Sequence, residues 1–128
     1  MLNINQNGVR PGARKMAQFL KAFQLTKTPA LYSDEETSSW DKLAYVKIFN
    51  PCGGQTWFIT EFSEVAPDGV PNLAYGYVVG MGCDEFGYIS IEELAEVRGP
   101  LGIGLEIDVH FTPKNLREAV HGVNGRLS

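Results

Sequence analysis

The most regular alternation of apolar and polar residues in the chain lies between residues 105 and 112. The apolar positions are Leu105, Ile107, Val109 and Phe111, and the polar positions are Glu106, Asp108, His110 and Thr112. A period of two over eight residues predicts a strand with one buried and one solvated face. Thr112 and Pro113 then predict the N-cap and the first residue of a C-terminal helix that ends near Gly122.

A short helix is predicted ahead of this strand. Residues 90–93, SIEE, fit a capping box in which Ser90 accepts a hydrogen bond from the N–H of Glu93. Apolar residues recur at every third position from residue 91 to 97, which gives the helix one apolar face. The Gly-Pro pair at residues 99–100 ends it.

Four further strands are predicted upstream, over residues 43–50, 55–63, 73–80 and 86–90. The turn sequence PCGG between the first two favours a hairpin, and the polar loop between the last two favours antiparallel pairing. Sequential antiparallel strands with segregated helices indicate an α+β fold. We therefore predict a mainly antiparallel sheet of about five strands, with an N-terminal helix, a short helix after the fourth strand and a C-terminal helix.

The N-terminal helix is predicted over residues 12–23, where apolar side chains recur on one face. Its basic residues, and the one preceding it, form a candidate basic arm: Arg10, Arg14, Lys15 and Lys21. This helix either docks on the domain or acts as an amphipathic arm for a partner, a membrane surface or nucleic acid. The organisation that follows is a basic, partly helical extension over residues 1–28, a single α+β domain over residues 29–122, and a tail over residues 123–128.

The most informative feature of the composition is the distribution of charge along the chain. The chain has 128 residues and a formal net charge of −4, but residues 34–112 contain fourteen acidic and three basic residues, a net charge of −11. The body is therefore acidic and both ends are basic. This is either ordinary solubility charge, or a surface that repels or imitates nucleic acid beside an arm that binds something acidic.

The sequence indicates the cellular compartment of the protein and the state of its two cysteines. No apolar run approaches the ~20 residues that a membrane helix needs, and the first residues do not resemble a secretory signal. We therefore expect a cytoplasmic protein without a membrane association. Cys52 and Cys83 are expected to be free thiols, with no disulfide and no zinc site.

Four segments carry a resemblance to a known family: YVKIFNP from Tyr45, WFITEF from Trp57, FGYISIEEL from Phe86 and GLEIDVHFTP from Gly104. Together they resemble the bacterial family called domain of unknown function 2958, over about residues 29–120. The resemblance implies a small single-domain protein of plasmids, phages and integrative elements, and it implies no particular activity. Many members have Glu-Arg-Asp where this chain has Glu-Ile-Asp at residues 106–108, so a role that requires that arginine does not transfer.

Several residues are candidates for chemistry. Glu106, Asp108 and His110 share the polar face of the predicted fifth strand, where they can bind a divalent metal or perform acid–base catalysis; the alternative is a solvated strand face. Glu61 joins them if its strand neighbours the fifth. Arg98 lies in a glycine-rich loop, which is either a tight helix-to-strand crossing or an anion clamp, and which lacks the lysine of a phosphate-binding loop.

The aromatic residues of the predicted sheet are the remaining candidates. Trp57, Tyr75, Tyr77 and Tyr88 are expected in the core, because the acidic surroundings argue against a stacking surface for nucleic acid. Residues expected to contribute to binding are Trp57, Glu61, Arg98, Glu106, Asp108 and His110.

The function expected from these observations is a non-enzymatic interaction module of a mobile element. Its acidic body would bind a host or element protein, and a protein that normally binds nucleic acid is one candidate. We expect no cofactor. One alternative is a small metal-dependent or acid–base enzyme, with catalytic candidates Glu61, Asp108 and His110. The other alternative is nucleic-acid binding through the basic N-terminal helix.

Overall fold

The computed structural model describes residues 27–33, 35–65, 67, 71–80, 82, 84–97 and 104–125. The predicted N-terminal helix, the basic arm, Cys83 and Arg98 lie outside these residues. The division into extension, domain and tail stays a prediction.

Seven strands and two α-helices make up the described fold. The strands are β1 (Leu43–Ala44), β2 (Val46–Phe49), β3 (Thr56–Phe62), β4 (Leu73–Val79), β5 (Glu85–Ser90), β6 (Glu106–Ile107) and β7 (Lys114–Asn115). The helices are α1 (Ile91–Glu96) and α2 (Leu116–Gly125), and a short 3-10 helix spans Ser39–Asp41. None of the helices in this part of the chain is long and apolar enough to span a bilayer.

A five-stranded antiparallel sheet organises the molecule, with strand order β5-β4-β3-β2-β6. The β2–β3 hairpin and the antiparallel pairing of β4 with β5 are both confirmed. The predicted first strand is divided at Tyr45, whose N–H donates to the carbonyl of Ile59 at 2.8 Å. The two residues before this break form β1, which pairs with β7 in a second, two-stranded sheet.

Two apolar clusters cover the two faces of the large sheet, and every residue of the central strand β3 is buried between them. We call the face covered by α1 the first face; it contains Trp57, Ile59 and Ile89 against Ile91 and Leu94. The second face is covered by α2, and its buried residues are Ala44, Phe58, Val79, Leu116, Ala119 and Val120.

Helix α1 forms as its sequence predicts. The Ser90 hydroxyl accepts a hydrogen bond from the N–H of Glu93 at 3.2 Å, and Ile91 and Leu94 are buried. At the other end the N–H of Val97 donates to the carbonyl of Leu94 at 3.2 Å, which closes the helix. Local capping signals therefore sufficed to place this element.

The predicted fifth strand is shorter than its alternation suggests, because β6 ends at Ile107. The Asp108 side chain accepts a hydrogen bond from the N–H of His110 at 2.9 Å, and the Asp108 carbonyl accepts from the N–H of Phe111 at 3.2 Å. Aspartate often forms such turns by bonding to the backbone two residues ahead. Val109, predicted to face the core, is 53% exposed.

The C-terminal helix also begins later than predicted. It starts at Leu116 rather than at Pro113, because Lys114 and Asn115 extend along β1. The side chain of Asn115 accepts a hydrogen bond from the N–H of Arg117 at 2.9 Å and so caps the helix in place of Thr112. The helix continues past Gly122 to Gly125.

Candidate functional site

A buried ion pair between Lys42 and Glu61 is the most unusual electrostatic feature of the described structure. The Lys42 ammonium nitrogen lies 2.5 Å from Glu61 Oε2, and the two side chains are only 11% and 5% exposed. The other carboxylate oxygen, Oε1, accepts the backbone N–H of Tyr32 at 3.1 Å. Charges are costly to bury unless they are paired and hydrogen-bonded, and here each oxygen of the Glu61 carboxylate has a partner.

Local irregularity in β3 positions this glutamate. The register with β4 shifts between Ile59 and Glu61, and Glu61 then pairs with Tyr75. The intervening Thr60 donates its hydroxyl to the carbonyl of Tyr75 at 3.1 Å. Bulges of this kind re-aim side chains near the end of a strand, and here the result is a charged residue beside tyrosines.

Three tyrosines surround the ion pair. Tyr75 and Tyr88 are partners in the β4–β5 register, with ring centroids 5.4 Å apart, and the Lys42 ammonium lies 5.6 Å above the Tyr75 ring. The Tyr88 hydroxyl donates to the Tyr32 hydroxyl at 3.0 Å. This hydrogen bond favours the neutral phenol and, with smaller contributions from desolvation and from nearby negative charge, raises the pKa of Tyr88 to about 12.

Tyr32 reaches the site from the segment that precedes the sheet. Pro29 and Leu31 exchange backbone hydrogen bonds with Phe62 at 2.9 and 3.0 Å, which fixes this segment beside the end of β3. Tyr32 itself has φ of 64°, a left-handed conformation that costs a non-glycine residue about 1–2 kcal/mol. The bond from its N–H to Glu61 offsets this cost, so the site holds a strained residue in place.

Two small cavities meet at the ion pair. The larger, which we call the tyrosine cavity, has a volume of about 260 Å³. It is lined by Tyr32, Glu35, Thr37, Ser39, Lys42, Glu61, Tyr75 and Tyr88. A second cavity of about 220 Å³ shares Thr37, Lys42 and Glu61 with it. Because both oxygens of Glu61 and the ammonium of Lys42 already have partners, the arrangement suits binding by preformed rings and charges better than proton transfer.

A larger cleft of about 720 Å³ lies near the other end of β3, between the β2–β3 hairpin and α2. Asp108 and His110 both line it. Lys47 lies 3.7 Å from the Asp108 carboxylate, and the Lys114 ammonium lies 5.4 Å above the Phe111 ring. Two of the sequence-predicted site residues thus share a cavity, although not on one strand.

The predicted constellation of Glu106, Asp108 and His110 on one strand face is not formed. Glu106 is exposed on β6 opposite Phe49, whereas Asp108 and His110 lie in the turn that follows. Glu61 does not join them, because β2 separates β3 from β6. The residues that the structure describes contain no group of three or more His, Cys, Asp or Glu side chains that could hold a metal ion.

The aromatic residues divide between core and surface. Trp57 is 7% exposed and packs in the core of the first face, as expected. Tyr88, also expected in the core, is 54% exposed. Sequence reasoning singled out Glu61 but missed Lys42, Tyr32 and the surface position of Tyr88; a lone carboxylate in an apolar strand was the signal that a cation must lie nearby.

Comparison with known proteins supports the family resemblance. The family profile described as "Protein of unknown function (DUF2958)" matches residues 18–118, and so begins earlier than the resemblance seen from residue 29. Comparisons with curated proteins and with solved structures each gave no match. Since the profile spans more than three quarters of the sequence, the chain belongs to the DUF2958 family of proteins of unknown function.

Proposed function

We propose that the protein is a non-enzymatic interaction module whose acidic surface binds a basic region of another protein. The observation that carries this proposal is the distribution of charge among the described residues. Lys42, Lys47 and Arg117 form ion pairs with Glu61, Asp108 and Asp41 within the molecule. Exposed glutamates that make no ion pair with another described residue are Glu35, Glu36, Glu64, Glu85, Glu93, Glu96, Glu106 and Glu118.

These glutamates give the surface a negative potential, which attracts cationic surfaces and repels nucleic acid. Complementary charge of this kind accelerates association and selects among partners. The partner that fits this chemistry is a protein with an exposed lysine- and arginine-rich surface, as nucleic-acid-binding proteins have. The family resemblance suggests that this binding serves a plasmid, phage or other mobile element in the bacterial cytoplasm.

Affinity capture from nuclease-treated bacterial lysate tests the proposal. The wild-type protein is compared with a variant in which four exposed glutamates in different parts of the fold are neutralised: Glu64→Gln, Glu85→Gln, Glu96→Gln and Glu106→Gln. We expect the wild type to retain a basic protein in stoichiometric amount, with binding that weakens as salt rises. The variant should retain much less. Equal retention of that protein by both proteins, or retention of no basic protein by the wild type, would contradict the proposal.

A second candidate function is small-molecule binding, with or without acid–base catalysis, in the cleft that contains Asp108 and His110. The observation in its favour is size, since about 720 Å³ falls within the range of ligand sites, roughly 300–1,000 Å³. A thermal-shift screen of metabolites and of Mg²⁺, Mn²⁺ and Zn²⁺ tests it. A ligand whose stabilising effect is lost in His110→Ala supports this function; a screen without stabilising ligands argues against it.

Nucleic-acid binding through the basic arm is the third possibility, and the arm lies outside the described residues. It predicts affinity that falls steeply with salt and that disappears when residues 1–27 are deleted. The same capture experiment, performed without nuclease, separates this outcome from protein binding.

A further inference from the structure

We infer that the tyrosine cavity receives the guanidinium group of one arginine side chain from the basic partner; this inference rests on the proposed function and names the chemistry of one contact. The cavity volume of about 260 Å³ lies below the roughly 300–1,000 Å³ typical of small-molecule sites. A single protein side chain is therefore a better match for its size than a free ligand.

The tyrosine cavity presents exposed aromatic faces. Tyr32 and Tyr88 are 60% and 54% exposed, and their ring centroids lie 6.4 Å apart at an angle of 57°. Tyr75 lies below them, 5.4 Å from Tyr88. Exposed tyrosine rings attract cations through their negative faces, and the planar guanidinium also stacks on them.

The charge of the tyrosine cavity also favours a cation. Lys42 neutralises Glu61, so Glu35 leaves the lining with a net charge of one negative unit. Glu35 is exposed and can accept two parallel hydrogen bonds from a guanidinium, a geometry that a lysine ammonium does not match. The inner position of the site, over Tyr75 and against Glu61, already holds the molecule's own cation, Lys42. The outer rings are thus the ones that face an incoming side chain.

The outer rings of the tyrosine cavity are held in place before a ligand binds. The hydroxyls of Tyr32 and Tyr88 are hydrogen-bonded to each other at 3.0 Å, and the N–H of Tyr32 is bonded to Glu61. Rings that are already fixed lose little conformational freedom when a ligand enters. Tyr32 has its left-handed backbone, with φ of 64°, at the position where its ring contacts that of Tyr88.

A pair of five-residue peptides provides the probe: one carries a central arginine flanked by glycine and alanine, and the other carries citrulline, which has the same shape without the charge. Each is titrated into the full-length protein and followed by amide chemical shifts. We expect saturable shifts at Tyr32, Glu35 and Tyr88 with the arginine peptide and several-fold weaker binding of the citrulline peptide. Shifts that are spread over the surface, or equal affinities of the two peptides, would overturn the inference.

Matched charge variants distinguish a specific receptor from diffuse attraction. Glu35→Gln removes a charge from the tyrosine cavity, and Glu118→Gln removes the same charge from the lining of the larger cleft. Tyr88→Ala and Glu35→Gln should each weaken arginine-peptide binding by roughly threefold to thirtyfold, whereas Glu118→Gln should leave it unchanged. Equal losses in Glu35→Gln and Glu118→Gln would contradict the receptor.

The outcomes for the receptor and for the proposed function are separable. A captured basic partner that Tyr88→Ala still binds with wild-type affinity would overturn the arginine receptor and leave the interaction module standing. Specific binding of the arginine peptide without any captured basic protein would support the receptor and count against the proposed function.

Discussion

Replacing Lys42 with methionine tests how strongly the site depends on its buried ion pair. The change keeps the length and apolar stem of the side chain but removes the charge, which leaves the carboxylate of Glu61 with one hydrogen bond, from the N–H of Tyr32. Breaking one partner of a buried pair costs about 3–5 kcal/mol. We expect the lower end, about 3 kcal/mol, because that remaining hydrogen bond still stabilises the carboxylate. This is a large fraction of a domain stability of about 5–15 kcal/mol.

The exposed ion pair between Arg117 and Asp41 provides a control for this experiment. Arg117 and Asp41 form an ion pair at 3.4 Å with side chains that are 64% and 55% exposed. Exposed pairs contribute about 0–1 kcal/mol, so Arg117→Met should have a correspondingly small effect. Adding Glu61→Gln to Lys42→Met should recover part of the lost stability, because no unpaired carboxylate charge is then buried.

Urea unfolding followed by circular dichroism measures these differences in the free energy of unfolding. If Lys42→Met costs no more free energy of unfolding than Arg117→Met, the pair of Lys42 and Glu61 behaves as a solvated one, which would contradict this expectation. A double variant no more stable than Lys42→Met alone would show that the cost does not arise from the unpaired carboxylate.

Three further predictions follow from single contacts. Gly76→Ala should destabilise the fold by about 3 kcal/mol, the upper end of the usual cost of overpacking, because an added Cβ would lie 1.8 Å from a backbone carbonyl oxygen. Gly87→Ala, at the paired position on β5, meets nothing within 4 Å and should be nearly neutral in chemical denaturation. Asn115→Ala should cost about 1 kcal/mol in the same assay, through loss of the α2 cap. Tyr88 should titrate near pH 12 by NMR, against an ordinary pKa of 10.0, and its pKa should fall in Tyr32→Phe. The folded state holds the phenol proton more tightly than the unfolded state does. The stability that this contact gives is therefore present below about pH 10 and is lost between about pH 10 and 12.

Features of the fold that depend on neighbouring residues were predictable from the sequence. The β2–β3 hairpin and the helix α1 follow from turn residues and caps that act within a few positions. The alternation over residues 105–112 led to the wrong prediction of a strand over all eight residues. The same pattern is compatible with a long strand and with a two-residue strand followed by a turn. Asp108 decides between them by bonding to the N–H of His110, and the pairing of Lys114 and Asn115 with β1 then delays the helix.

The candidate site was only partly predictable, because its contacts are remote in sequence. Glu61 was recognisable as a charged residue in an apolar strand, but its partner Lys42 lies 19 positions away. Tyr88 donates to Tyr32 across 56 positions. Pairing of this kind depends on the bulge in β3 and on how the segment before the sheet packs against it, and neither follows from local propensity.

Native mass spectrometry of the tagged protein isolated from nuclease-treated lysate tests the central claim most directly. We expect a complex of the protein with one basic protein partner that dissociates as salt is raised, because the exposed glutamates provide the attraction. Recovery of the protein without a protein partner, or with a partner whose binding does not weaken as salt is raised, would contradict it.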